Sequence, residues 1–106
     1  MGRRCYPRRV SWFPVCCCFR PEVLPPRGEV VMSIDELEAL RLADVEGLYQ
    51  EEGALSMGVS RSTFARMLRA ARRKVAEALV MGKILHVEGG EVISVENSSV
   101  NRERGC

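Results

Sequence analysis

Gln50 to Arg69 reads QEEGALSMGVSRSTFARMLR, and the order of residue types in it predicts two helices joined by a sharp turn. A short acidic segment over Gln50–Met57 leads into Gly58-Val59. Ser60 then offers a hydroxyl to the free amides of a new helix start, and a long basic helix follows. Gly58 suits the turn because a residue without Cβ reaches left-handed φ/ψ at little cost. The small Ala54 lets the two helices approach closely, and Met57, Val59, Phe64 and Met67 are expected to fill the wedge between them. This is the layout of a helix-turn-helix, whose second helix is the one presented to the major groove of a duplex.

The second of these helices is expected to run from Ser60 to about Met81 and to stop at Gly82. At 100° per residue, Phe64, Met67, Leu68, Ala71, Val75, Ala78 and Leu79 fall within one arc of about 120°. Ser62, Arg66, Arg69 and Arg73 fall together on the opposite side. One face is therefore expected to be core and the other a guanidinium stripe. Val80 and Met81 lie off the core face and are expected to meet the C-terminal strands or a second subunit.

Upstream, Ser33-Ile34-Asp35-Glu36 is a capping box, in which hydroxyl and carboxylate satisfy free amides at a helix start. The helix it opens is expected to reach about Glu46 and stop at Gly47. Its apolar residues do not share one narrow face, so either it is covered on two sides or the 3.6-residue phase does not describe it. Gly53, inside the next helix, costs roughly 1 kcal/mol relative to Ala and makes that helix dependent on tertiary support. Glu29–Met32 reads as a short strand. Lys83–Val87 and Glu91–Val95 flank Gly89-Gly90 and read as a β-hairpin.

The expected fold is mainly α: a tri-helical helix-turn-helix core, a C-terminal β-hairpin, and an irregular but packed N-terminal segment. Residues 1–32 form a basic leader rich in Pro, Cys and aromatics, 33–82 the helix-turn-helix domain, 83–95 the hairpin and 96–106 a flexible tail. The leader is expected to pack because it holds Tyr6, Trp12, Phe13 and Phe19, more aromatic surface than a disordered arm carries.

The formal net charge is only +2, but it is unevenly distributed. Residues 1–27 hold six Arg against one Glu, 28–60 one Arg against eight acids, and 61–83 seven cations against one Glu. Two basic blocks separated by an acidic one describe a polarised molecule with a face for an anionic partner. No apolar run approaches the roughly 18 residues of a membrane span, so a cytoplasmic protein without a membrane partner is expected. Arg8-Arg9 and the apolar residues after it are interrupted by Pro14 and are not read as an export signal. Five cysteines (Cys5, Cys16, Cys17, Cys18 and Cys106) without C-x-x-C spacing imply neither a disulfide framework nor a zinc ribbon. A small core makes a homodimer the expected assembly. With a single His, no phosphate loop and no nucleophile elbow, no enzymatic activity, cofactor or metal is expected.

The stretches Asp35–Leu48 (DELEALRLADVEGL), Met57–Phe64 (MGVSRSTF), Ala71–Leu79 (ARRKVAEAL) and Gly82–Gly90 (GKILHVEGG) resemble a family of small, largely uncharacterised prokaryotic proteins predicted to bind DNA. That family in turn resembles region four of bacterial sigma factors, where a similar tri-helical unit docks on promoter DNA. Arg8-Arg9-Val10, Phe13-Pro14 and Phe19-Arg20-Pro21 resemble its leader. Three positions depart from the pattern: Tyr49 stands where a Ser cap is expected, Gly53 where Ala is usual, and Ser62 where Pro is usual.

The resemblance and the basic stripe together imply sequence-specific binding of double-stranded DNA and transcriptional regulation. The residues expected to carry it are Ser60, Arg61, Ser62, Thr63, Arg66, Arg69, Arg72, Arg73 and Lys74. Arg61 and Arg66 suit guanine edges, and Arg69, Arg72, Arg73 and Lys74 suit phosphates. Against this, any single Arg is equally a solvated side chain or part of an intrahelical pair such as Arg73 with Glu77. Arg3, Arg4, Arg8 and Arg9 extend along the DNA backbone or are simply solvated, and Asp44, Glu46, Glu51 and Glu52 complement helix starts. Two alternatives stand beside DNA binding. One is a thiol- or metal-responsive regulator using Cys16 to Cys18, with Cys5 joining them. The other is a sigma-like protein-interaction module that contacts RNA polymerase.

Overall fold

The computed structural model describes residues 8–11, 17–90 and 92–94, the last three through their backbone. Strands β1 (Arg8–Val10), β2 (Cys18–Phe19) and β3 (Glu29–Met32) precede helix α1 (Ile34–Leu40), which continues as a π-helical turn over Arg41–Val45. Helices α2 (Gln50–Met57) and α3 (Arg61–Met81) follow, then strands β4 (Ile84–Val87) and β5 (Val92–Ser94). The molecule is mainly helical, with two small sheets closing the helical unit. Among the described residues, no helix is long and apolar enough to cross a membrane.

The capping box forms as its residue order dictates: Glu36 N donates to Ser33 Oγ and Ser33 N donates to Glu36 Oε1. The continuous helix expected up to Glu46 instead loosens at Arg41, where Glu46 N donates to Arg41 O in an i→i+5 bond. A π turn inserts an extra residue and rotates the faces that follow, so one 3.6-residue phase cannot describe 34–46. The helix is also covered on two sides. Ala39 and Leu42 enter the core made with α2 and α3, whereas Glu38, only 1% exposed, faces β1. There its carboxylate accepts from Ser11 N and Oγ at 3.1 Å and from Arg41 at 2.9 and 3.0 Å. A buried carboxylate is tolerable because each of its oxygens has a donor.

The wedge between α2 and α3 is filled as the residue sizes predict. Ala54, Met57, Phe64, Met67 and Leu68 are buried in one cluster, with Val59 packed against it. Ala71 and Ala78 continue this face along α3, and Val75 is half-buried. Leu79 departs from expectation: at 78% exposure it faces water and not core. Among the described residues it borders an open groove shared with Phe19, Pro21 and Leu85.

The described part of the N-terminal segment is not wholly irregular, since β1 and β2 both join sheets; of the aromatics on which its expected packing rested, Tyr6, Trp12 and Phe13 lie outside the described residues and Phe19 is largely exposed. The C-terminal hairpin requires correction. Strand β4 is the centre of a three-stranded sheet, antiparallel to β2 on one edge and parallel to β3 on the other. With both edges taken, β4 has no hydrogen-bonding groups left for β5, which pairs in parallel with β1. Gly89 and Gly90 do take positive φ, but they carry the chain over the start of α1, where Ile34 N donates to Gly89 O at 2.9 Å. The parallel β3–β4 pair makes the whole helical unit one crossover connection. Val30, Met32, Ile84 and Val87 from these strands and Val10 from β1 are all buried.

Candidate nucleic-acid interface

Gly58 closes α2 at φ 71°, ψ 34° and turns the chain so that Val59 N donates back to Ala54 O at 3.0 Å. Ser60 then caps α3, with Thr63 N donating to its Oγ at 3.1 Å. These local bonds fix the direction in which α3 leaves the turn. The first turn of α3 presents Ser60, Arg61 and Ser62 to solvent and leaves Thr63 half-buried. The Ser60 hydroxyl is occupied by capping, so its part in any interface is to hold the helix start.

Arg66, Arg69 and Arg73 are exposed along the side of α3 opposite Phe64, Met67, Leu68 and Ala71. Among the described residues, no carboxylate lies within ion-pair distance of Arg66 or Arg69. Arg61 approaches Glu51 at 3.9 Å, with both side chains well exposed. Glu77, the expected alternative partner of Arg73, is hydrogen-bonded by Lys83 at 2.6 Å, and Arg73 acts on it only through its charge. Lys83 draws the Glu77 carboxyl below its ordinary value, first through that hydrogen bond and then through its charge.

The nine expected residues thus separate into groups with different surroundings. Arg72 lies to one side of the outward row and makes a bidentate pair with Asp44, at 3.0 and 2.7 Å. This contact holds the Asp44 carboxyl below the ordinary carboxylate range, the hydrogen bond outweighing the loss of solvation. Lys74 lies to the other side and reaches Glu36 Oε1 at 2.7 Å, the same oxygen that completes the α1 cap. These two cations brace α3 against α1 and its π turn from both flanks, while the row between them stays open to solvent.

Arg9, expected to track the DNA backbone or to be solvated, is exposed but also engaged with the body of the protein. Its side chain donates to Leu55 O at 2.8 Å and Ser56 O at 3.3 Å, capping the C-terminal carbonyls of α2 beside Gly58. A cation there complements the negative end of the helix dipole. Arg8 lies 3.7 Å from Asp35. The Arg8-Arg9 pair signals a basic leader, but nothing local in it points to a helix end more than 40 residues away. Arg3 and Arg4, and Cys5 and Cys16 of the thiol reading, lie outside the described residues, as does the tail over 96–106 with Cys106. Cys17 is half-buried just before β2, and Cys18 is paired in register with His86 of β4. Among the described residues, no group of three or more His, Cys, Asp or Glu is placed to hold a metal.

The sequence model of a family described as "Protein of unknown function DUF134" matches residues 1–95. The chain is 48% identical over 101 residues to a "UPF0251 protein" of Prosthecochloris aestuarii, an alignment covering 93% of this chain and 65% of that protein. It is 55% identical over 85 residues to a "UPF0251 protein" of Moorella thermoacetica, covering 78% and 57% respectively. With one from Methanosarcina acetivorans the identity is 45% over 104 residues, covering 96% and 93%. The chain therefore spans less than two-thirds of the length of the first two relatives and nearly all of the third. No solved structure matches it.

Proposed function

We propose that this chain, which belongs to the DUF134 family, binds double-stranded DNA sequence-specifically and acts as a transcriptional regulator. In this reading α2, the Gly58 turn and α3 form a helix-turn-helix of the kind found in sigma factor region four, with α3 entering the major groove. The observation that carries the reading is the open row Arg66, Arg69 and Arg73 on a helix whose other face is buried. Three guanidinium groups at that spacing repel one another unless an anion lies along them, and a duplex backbone supplies phosphates at comparable intervals. Arg72 and Lys74 contribute by orienting α3, and reach phosphates only by giving up Asp44 and Glu36.

The test separates reading from anchoring. Arg66 lies little more than one turn into α3, where groove-entering side chains meet base edges; Arg73 lies two turns further on. Sites selected from a random duplex pool by the wild-type protein provide the target. On that target Arg66→Ala costs about 1–3 kcal/mol and relaxes the sequence preference. Arg73→Ala weakens all sequences by similar factors and lowers the salt slope by roughly one unit. Both variants keep the wild-type melting temperature, because neither side chain is buried. If both bind duplex like wild type across a salt titration, the row is a solvated face and the DNA reading fails.

A further inference from the structure

A groove of about 540 Å3 opens between the C-terminal half of α3 and the β2–β4 pair. Phe19 and Leu85 are register partners in that antiparallel pair, so they lie side by side on one face of the sheet. Val75 and Leu79 are four residues apart on α3, so they lie one above the other on one side of the helix. All four line the groove, with Leu37 of α1 and Pro21. Phe19 is 57% exposed and Leu79 78%, so water lies against apolar walls. The volume falls within the roughly 300–1,000 Å3 of small-molecule sites.

The charged residues of the lining are Arg20 and Lys83, and no carboxylate lines the groove with them. Glu77, outside the lining, compensates Lys83: its Oε2 accepts from Lys83 Nζ at 2.6 Å. Among the described residues, no carboxylate lies within ion-pair distance of Arg20. The apolar lining therefore carries one uncompensated positive charge.

We infer that this groove binds a small monocarboxylate with an apolar body, its carboxylate on Arg20 and its body between the Phe19–Leu85 and Val75–Leu79 walls. Charge complementarity selects the class. One unbalanced cation matches one headgroup charge, whereas a phosphate monoester brings about 1.5–2 negative charges at neutral pH and leaves an excess beside an apolar lining. A guanidinium also receives a carboxylate through two parallel N–H···O bonds. The apolar body supplies the part of the affinity that scales with buried area. A neutral molecule forgoes the first contribution and a short anion the second. The inference does not rest on DNA binding, because Val75 and Leu79 lie on the side of α3 opposite Arg66, Arg69 and Arg73.

The experiment is calorimetric titration of the full chain with octanoate and with phenylpropionate, and with octanol and acetate for comparison. At least one of the two apolar acids is expected to bind saturably, one per chain, and to raise the melting temperature as linkage requires. Octanol and acetate are expected to bind more weakly. Arg20→Gln should weaken binding of the acid by about two- to tenfold and leave octanol unchanged. Leu79→Glu, which adds a carboxylate to the lining, should weaken the acid as well. Val80→Glu is the control: Val80 has the same 78% exposure but lies outside the lining, turned about 100° around the helix. It should bind the acid like wild type. An unchanged melting temperature without ligand verifies that each variant folds. Failure of both acids to bind, octanol binding as well as octanoate, full affinity in Arg20→Gln, or equal losses in Val80→Glu and Leu79→Glu overturns the inference. Duplex binding by the same samples keeps the two readings apart. A chain that takes the acid but ignores DNA sinks only the DNA reading, and the converse sinks only this one.

Discussion

Gly53 illustrates how the sign of a residue's contribution depends on what lies opposite it. In an isolated helix it is a defect, costing about 1 kcal/mol of propensity relative to Ala. Here it is buried with the Phe64 ring against it. A Cβ at position 53 meets Phe64 Cε1 at 2.7 Å and lies closer still to Cζ. Phe64 is fully buried and surrounded by Met57, Met67 and Leu68, so its ring has nowhere to retreat. Gly53→Ala is accordingly expected to destabilise the protein by about 1–3 kcal/mol in urea denaturation, the overpacking outweighing the propensity gain. A stabilised variant contradicts this account. Glu38 follows the same logic: its position resembles an ordinary polar helix site, yet it is the buried junction between α1 and β1.

Among elements, α3 is the one on which fold and proposed function meet. Its outward row is flanked by two occupied cations, Arg72 bound by Asp44 and Lys74 by Glu36. The Asp44 carboxyl has a folded pKa below its unfolded one. Its pair with Arg72 therefore contributes fully above the unfolded value of about 3.9 and is lost as pH falls through the folded value. Because both partners are exposed, the contribution is about 0.2–1 kcal/mol at neutral pH. Asp44→Asn should lower neutral-pH stability by that small amount and differ little from wild type in acid. If α3 binds DNA, the same change releases Arg72 and removes a negative charge near the interface. Duplex affinity should then rise, and the salt slope steepen by roughly one unit. Unchanged binding by Asp44→Asn places Arg72 outside any DNA contact.

For the molecule as a whole, the sheets and the helical unit are one structure. Strands β3 and β4 lie on either side of residues 34–82 in sequence yet are hydrogen-bonded neighbours. Met32 and Val10 are wholly buried, and Val30, Ile84 and Val87 nearly so. A fragment of residues 33–82 loses all five of these side chains and the β1 partners of Asp35 and Glu38. At about 50 residues it keeps too little core to offset chain entropy. The fragment is expected to melt over a broad, non-cooperative range by circular dichroism, while the full chain gives a single sigmoidal transition. A cooperative fragment shows that the strands add surface cover and little stability.

Helix starts at Ser33 and Ser60, the turn at Gly58, the buried stripe from Phe64 to Ala78 and the strand at Glu29–Met32 were all legible in the sequence. Each depends on groups within about one helical turn or a strand's alternation, which is where local rules act. The outward position of Arg66, Arg69 and Arg73 was legible for the same reason. The fates of Arg72 and Lys74 were not, because their partners lie 28 and 38 residues away. Strand partners were equally hidden. Gly89-Gly90 permits a hairpin, and only the prior occupation of both β4 edges by β2 and β3 forbids it. The exposure of Leu79 has a related cause, since helical phase says which way a side chain points but not whether another element arrives to cover it. Local chemistry therefore settled which elements form and which way their faces point, while tertiary contacts settled strand pairing and which charges and apolar surfaces remain unpartnered.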